Sequence, residues 1–150
     1  MILENEILRL LPADPALAPR AAAYYIRNRA FLRPFEPERP PAFFTPEAQR
    51  GILLREMLDA QSGRAYCFYI EPKCAPALLI GGIGLNNVVW GAFCSAFLGY
   101  KLDAAYTGQG YMTEAVRLVA EYAFTQLGLH RIEANVMPRN TASLRVVEKN

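Results

Sequence analysis

Residues 104–116 read AAYTGQGYMTEAV, and their punctuation decides the fold. An apolar run, AFCSAFLGYKL, reaches Leu102; two glycines follow at Gly108 and Gly110; an amphipathic pattern begins directly behind them. Glycine frees the backbone from Cβ crowding, so successive N–H groups ahead of a helix can turn toward one point, where the helix dipole adds positive potential. Such a place holds anions, and phosphate or pyrophosphate suits it best. An isolated G-x-G more often closes a tight turn, so the surroundings matter. No acidic residue stands between Tyr106 and Thr113. The dinucleotide fingerprint fails, because Thr113 occupies the place of its third glycine, and the Walker loop fails for lack of Gly-Lys-Ser/Thr.

Working outward, Met112, Val116, Val119, Ala120, Ala123 and Leu127 form one apolar stripe, with Gly128 where a C-terminal cap belongs. RIEANVM then reads as a strand, and strand, helix, strand at short range predicts a crossover unit with parallel neighbours. Upstream, AYCFYI, ALLIGGIGLNNVV and AFCSAFLGYKL are separated by EPKCAP and WG, the pattern of an antiparallel meander. Ile7–Leu11 predicts a first strand closed by Pro12, and Ala16–Arg29 a helix with Pro19 near its start. Pro34, Pro37, Pro40 and Pro41 bar regular structure from FLRPFEPERPPAFF, whose phenylalanines suit a loop that packs or binds. Thr45-Pro46-Glu47 opens a second helix, capped by Thr45 and ended by Gly63, and NTASLRVVEKN opens another behind Asn140. The fold class is mixed α/β, one domain over residues 1–150.

Composition removes several functions. A formal charge of +2 offers no basic face for nucleic acid, and no apolar run approaches the ~20 residues of a membrane span. The start, MILENEILRLLPADP, has acids where a signal peptide has basic residues, so the expected compartment is the cytoplasm. Cys67, Cys74 and Cys94 form no C-x-x-C pair and fit buried free thiols. The single histidine, His130, excludes His-rich metal sites and suits a structural place; no metal is expected.

LGYKLDAAYTGQGYMTEAV, followed by HRIEANVMPRNTASLRVVEKN, resembles motifs A and B of the GNAT superfamily of acetyl-CoA-dependent N-acetyltransferases. NRAFLRPFEP, GLNNVVWGAFCSAFLGY and MPRNTAS are similar to its RimJ/RimL-type branch, the ribosomal-protein-alanine N-acetyltransferases. The resemblance implies the GNAT fold, with one parallel strand pair at the CoA cleft. It implies acetyl-CoA on the amides of Gly108, Gly110, Met112 and Thr113, with Gln109 inside the loop, backbone pairing to the pantetheine arm near Lys101 and Leu102, and Asn140 near the reactive end. The family loop carries Arg or Gln where Thr107 stands and a smaller residue where Met112 stands, differences that bear on affinity. The family pattern continues past Glu148-Lys149-Asn150 into C-terminal strands. Their absence is expected to reflect truncation or completion by another copy, with a monomer or homodimer open.

The implied reaction is direct attack of an amine on the thioester. Many relatives place a tyrosine acid at the position of Val147, so Ser143 is implied as the hydrogen-bond donor to the departing thiolate. Glu133, which starts the last strand, is the nearest candidate base, with water relayed to Glu36 or Glu133 as the alternative. Phe35 and Glu36 are expected in the acceptor wall, and Trp90 either lines that groove or covers the core. The expected acceptor is a protein N-terminus, a ribosomal protein beginning with alanine. Acetylation of a polyamine or aminoglycoside, and a silent acyl-CoA-binding module, are the rival readings.

Overall fold

A computed structural model describes residues 1–33 and 39–134. Its frame is a six-stranded sheet of β1 (Leu3–Glu4), β2 (Leu8–Pro12), β3 (Tyr66–Pro72), β4 (Gly81–Val89), β5 (Ser95–Leu102) and β6 (Arg131–Ala134), in that spatial order. Every neighbouring pair is antiparallel except β5 and β6, which are parallel. Helices α1 (Ala18–Leu32) and α2 (Pro46–Gln61) lie between β2 and β3 in the chain, and α3 (Tyr111–Thr125) makes the crossover from β5 to β6.

Side-chain alternation divides the core between the two faces of the sheet. Phe68, Ile70, Ile83, Leu85 and Ala96 point to the face covered by Met112, Ala115, Val116, Val119 and Ala123 of α3. Tyr69, alternating with its neighbours on β3, joins Leu17, Ala18, Ala21, Leu53 and Leu79 on the opposite side, under α1 and α2. Each fully buried aliphatic side chain contributes about 1.5–3 kcal/mol, so the two layers hold the sheet from both sides.

Local chemistry sets the helix ends. The Thr45 hydroxyl accepts from the Ala48 N–H at 3.3 Å, as its N-cap position predicts, and Gly63 takes the left-handed conformation just past α2. Helix α1 extends three residues beyond Arg29, to Leu32, and Arg33 keeps helical angles as its C-cap, at φ −51 and ψ −42. Pro41–Phe44 forms a 3-10 turn inside the proline-rich stretch, with proline at its first position, where no N–H is needed. The two-residue strand β1 carries no apolar pattern of its own, and β4 and β5 begin later than the apolar runs, at Gly81 and Ser95. Among the thiols Cys74 is exposed rather than buried, because EPKCAP is a surface turn.

A buried carboxylate replaces apolar packing at one corner. Glu71, 8% exposed, accepts from Arg20 at 2.9 Å, from Arg9 at 3.4 Å and from the Ala77 N–H at 2.9 Å. That last bond fixes Ala77 at φ 72, a conformation that non-glycine residues adopt rarely.

Candidate active site

Strand β5 faces two neighbours, and alternation assigns its backbone groups between them. The Asp103 N–H donates to Ile80 C=O at 2.6 Å on the β4 side, while Cys94 C=O accepts from Arg131 N–H at 3.3 Å on the β6 side. Counting along the strand, Phe97, Gly99 and Lys101 turn their N–H and C=O toward β4, and Leu98, Tyr100 and Leu102 turn theirs toward β6. The described pairing with β6 ends at Leu98↔Ala134. Leu102 therefore presents its amide to the cleft beyond that pairing. Lys101, expected beside it, directs its carbonyl at Gly81 and its ammonium over the Tyr25 ring, 4.6 Å from the centroid.

Past Leu102 the chain is pinned before it reaches the glycines. Asp103 accepts from Arg27 Nη2 at 2.8 Å and Nε at 3.1 Å, and from the Ala105 N–H at 2.9 Å. Asn28 Oδ1 accepts from the Ala104 N–H at 2.8 Å. In the loop itself, Thr107 Oγ1 donates to Ala104 C=O and Gln109 Nε2 to Ala105 C=O, so both polar side chains fold back on the preceding turn. Gly108 at φ 74 and Gly110 at φ 87 take conformations that favour glycine. Gly110 is the N-cap of α3 and supplies no side-chain cap. Among the described residues no acceptor meets the N–H groups from Gly108 to Thr113. The Met112 side chain is 4% exposed and packs under the sheet, so its bulk leaves the loop clear. Open amides at a helix start beside a cleft-facing strand are suited to a diphosphate.

On the sheet face away from α3, Asn86, Phe97 and Glu133 stand in one row across β4, β5 and β6. Glu133 is the third residue of β6 and pairs with Arg131. The next rows are Gly84 with Gly99 and Gly82 with Lys101, so three of these four positions carry no side chain. Sequence reasoning missed this bare stretch, although GGIG at residues 81–84 signalled it. Trp90 donates its indole N–H to Gly63 C=O at 2.9 Å, tying the β4–β5 turn to the end of α2. By strand length it lies roughly 20 Å from the glycine loop. Phe35, Glu36, Asn140 and Ser143 lie outside the described residues.

Burial pushes the Glu56 carboxyl up, partly offset by the Tyr69 hydroxyl that donates to it at 2.6 Å and by Lys101. Burial, and then the Glu56 charge, push the neighbouring Cys67 thiol up to about 12, which removes it as a nucleophile near neutral pH. Asp103 and Glu71 behave oppositely. Burial alone would raise both, but amide and arginine donors outweigh it and hold both carboxyls below their ordinary values. A lowered folded value means stability that is present above the unfolded values of 3.8 and 4.5 and is lost as pH falls through the folded ones. Denaturant melts between pH 6 and 3 are therefore expected to show stability falling below about pH 4.5, with the loss smaller in Asp103→Asn. A flat profile would contradict the pinned carboxylates.

The sheet with one parallel pair, the backbone anion site and the cleft-facing Leu102 amide fit a protein of the acyl-CoA-binding kind. The chain belongs to the GNAT acetyltransferase family: residues 7–150 match the acetyltransferase (GNAT) domain. YjcK of Bacillus subtilis (strain 168), named a probable N-acetyltransferase, is 39% identical over 99% of this chain and 81% of its own length. The crystal structure of ribosomal-protein-S5-alanine acetyltransferase from Vibrio fischeri superposes with a TM-score of 0.92 at 33% identity, over 99% of this chain and 80% of that one. Mycobacterium smegmatis RimJ, in complex with CoA-disulfide, gives a TM-score of 0.88 at 28% identity, over 99% and 72%. The protein is an N-acetyltransferase with RimJ/RimL-type relatives. Among the described residues no group of His, Cys, Asp and Glu is placed to hold a metal ion, and no helix is long and apolar enough to cross a membrane.

Proposed function

We propose that this enzyme transfers the acetyl group of acetyl-CoA to the N-terminal α-amine of a protein, a ribosomal protein beginning with alanine. The observation that carries the donor side is the run of acceptor-less amides from Gly108 to Thr113 at the mouth of α3. A diphosphate held there lays the pantetheine arm along the edge of β5 that Leu102 presents. The acceptor side draws on the likeness to the Vibrio fischeri S5-alanine enzyme and on the row of exposed Asn86 and Phe97 with half-buried Glu133, which gives a peptide an approach opposite α3.

The amine lone pair attacks the thioester carbon, and the carbonyl oxygen becomes an oxyanion that an N–H of β5, the strand ending in Leu102, can stabilise. Collapse breaks the carbon–sulfur bond; CoA leaves as a thiolate stabilised by the Ser143 hydroxyl and then protonated, and the amine proton passes to Glu133, directly or through water. A thiol of ordinary pKa about 8.5 leaves readily, and an α-amine at about 7.7–8.0 is neutral to roughly a tenth at pH 7, so neither step needs a strong acid or base. A polycationic small amine suits the face less well, because Glu133 is already paired with Arg131.

The test is thiol release from acetyl-CoA with a peptide beginning with alanine, with spermidine run in parallel and the product mass measured. One added acetyl on the peptide α-amine is expected, and Glu133→Gln should lower kcat by about 10²-fold. Acetylation of spermidine alone overturns the acceptor, and absence of release with any amine overturns turnover itself.

A further inference from the structure

We infer that Arg27 and Asn28 of α1 are positioning residues for the donor: they hold the strand-to-loop junction at Asp103 and Ala104 so that the amides from Gly108 to Thr113 are aimed before CoA arrives. The inference rests on the reading that this loop takes the CoA diphosphate. Three features support it.

Asn28 is 1% exposed and fully used. Its Nδ2 donates to Tyr24 C=O at 3.0 Å within α1, which fixes the amide orientation and leaves Oδ1 as acceptor for the Ala104 N–H. Arg27 bridges two separate segments, donating to Asp103 through two nitrogens and to Leu79 C=O at 2.8 Å. Asp103 is thereby held on every side: its N–H goes to Ile80 C=O, its carboxylate takes Arg27 and the Ala105 N–H, and its carbonyl takes the Tyr106 N–H. The junction is thus fixed at both of its residues, whereas the backbone N–H groups from Gly108 to Thr113 stay uncommitted. Fixed ends with open donors are what a preorganised anion site requires, since a loop free to wander would have to be ordered by the ligand itself.

A purely structural contact would affect the whole fold, whereas a positioning contact affects the diphosphate selectively. The experiment therefore compares two ligands by calorimetry: CoA, and pantetheine, which has the same thiol arm without the diphosphate. It uses wild type, Asn28→Ala, and Arg27→Gln, which removes the charge at a side chain that is 38% exposed and keeps an amide N–H for Asp103. Arg27→Lys serves as the conservative variant.

Wild type is expected to bind CoA far more tightly than pantetheine. Asn28→Ala and Arg27→Gln should weaken CoA by about tenfold or more, given that displacements near 1 Å carry such penalties. Pantetheine affinity should move less than about twofold, a change below 0.5 kcal/mol at 1.4 per decade. Arg27→Lys should recover part of the loss. Equal weakening of both ligands, or no weakening of either in the folded Arg27→Gln protein, overturns the positioning role while leaving the diphosphate site intact. Wild type that fails to prefer CoA over pantetheine overturns the diphosphate reading itself.

Discussion

Replacing Gly110 by valine is expected to abolish useful CoA binding while the protein still folds. Gly110 sits at φ 87 with no atom within 4 Å of where a Cβ would stand, so the obstacle is conformational rather than steric. An L-residue in the left-handed region costs about 1–2 kcal/mol, and a β-branched one more. The loop can relieve that strain only by rotating the peptide units that Gly110 joins, which turns their amides away from the common point. Losing one hydrogen bond to a charged group removes roughly 1.5–3 kcal/mol. With the Gly110 and Tyr111 amides both turned away the loss reaches about 3–6 kcal/mol, or about 10²–10⁴-fold in Kd, the strain itself having been relieved. Calorimetric titration with CoA measures it, and a Kd within threefold of wild type would mean the amides do not hold the ligand.

The second large effect is on stability. A Cβ at Gly81 would run into the Lys101 carbonyl oxygen and lie 3.1 Å from Leu102 Cα, both backbone atoms of the neighbouring strand. No rotamer change relieves a backbone collision, so Gly81→Ala must separate β4 from β5 at the edge of the cleft. Overpacking of this kind costs about 1–3 kcal/mol and sometimes more. At roughly 2–4 °C per kcal/mol for a chain of this size, Tm should fall by about 2–12 °C. The same substitution at Gly51, inside α2 with nothing within 4 Å, should instead raise stability by up to about 1 kcal/mol. Opposite signs for one chemical change are the discriminating result in a pair of thermal melts, and a Gly81→Ala protein as stable as wild type would refute the close contact.

The difference between Gly81 and Gly108 also shows what the sequence could tell. Gly108 and Gly110 were legible because their signal is local: glycine, spacing and an amphipathic stripe all lie within one short window, and they led to the turn into α3, the crossover and the parallel pair. Thr45 was legible for the same reason, since an N-cap bonds three residues ahead. Gly81 was hidden, because its constraint comes from Lys101 on another strand. Asn28 was hidden too, since its partner Ala104 is 76 positions away and nothing around either residue announces the other. Cys74 was misjudged because unpaired thiols in general prefer the interior, while its surrounding turn lies at the surface. The resemblance supplied what spacing alone did not, the choice of acetyl-CoA among anionic ligands.

The alternation along β5 has a genetic consequence. Substitutions in residues 95–102 change only side chains and leave untouched the order in which main-chain groups face their two neighbours. Adding or deleting one residue would exchange every partner at once, giving to β4 the amides that Leu98, Tyr100 and Leu102 now turn toward β6. Variation in this strand should therefore tolerate many replacements and no change of length.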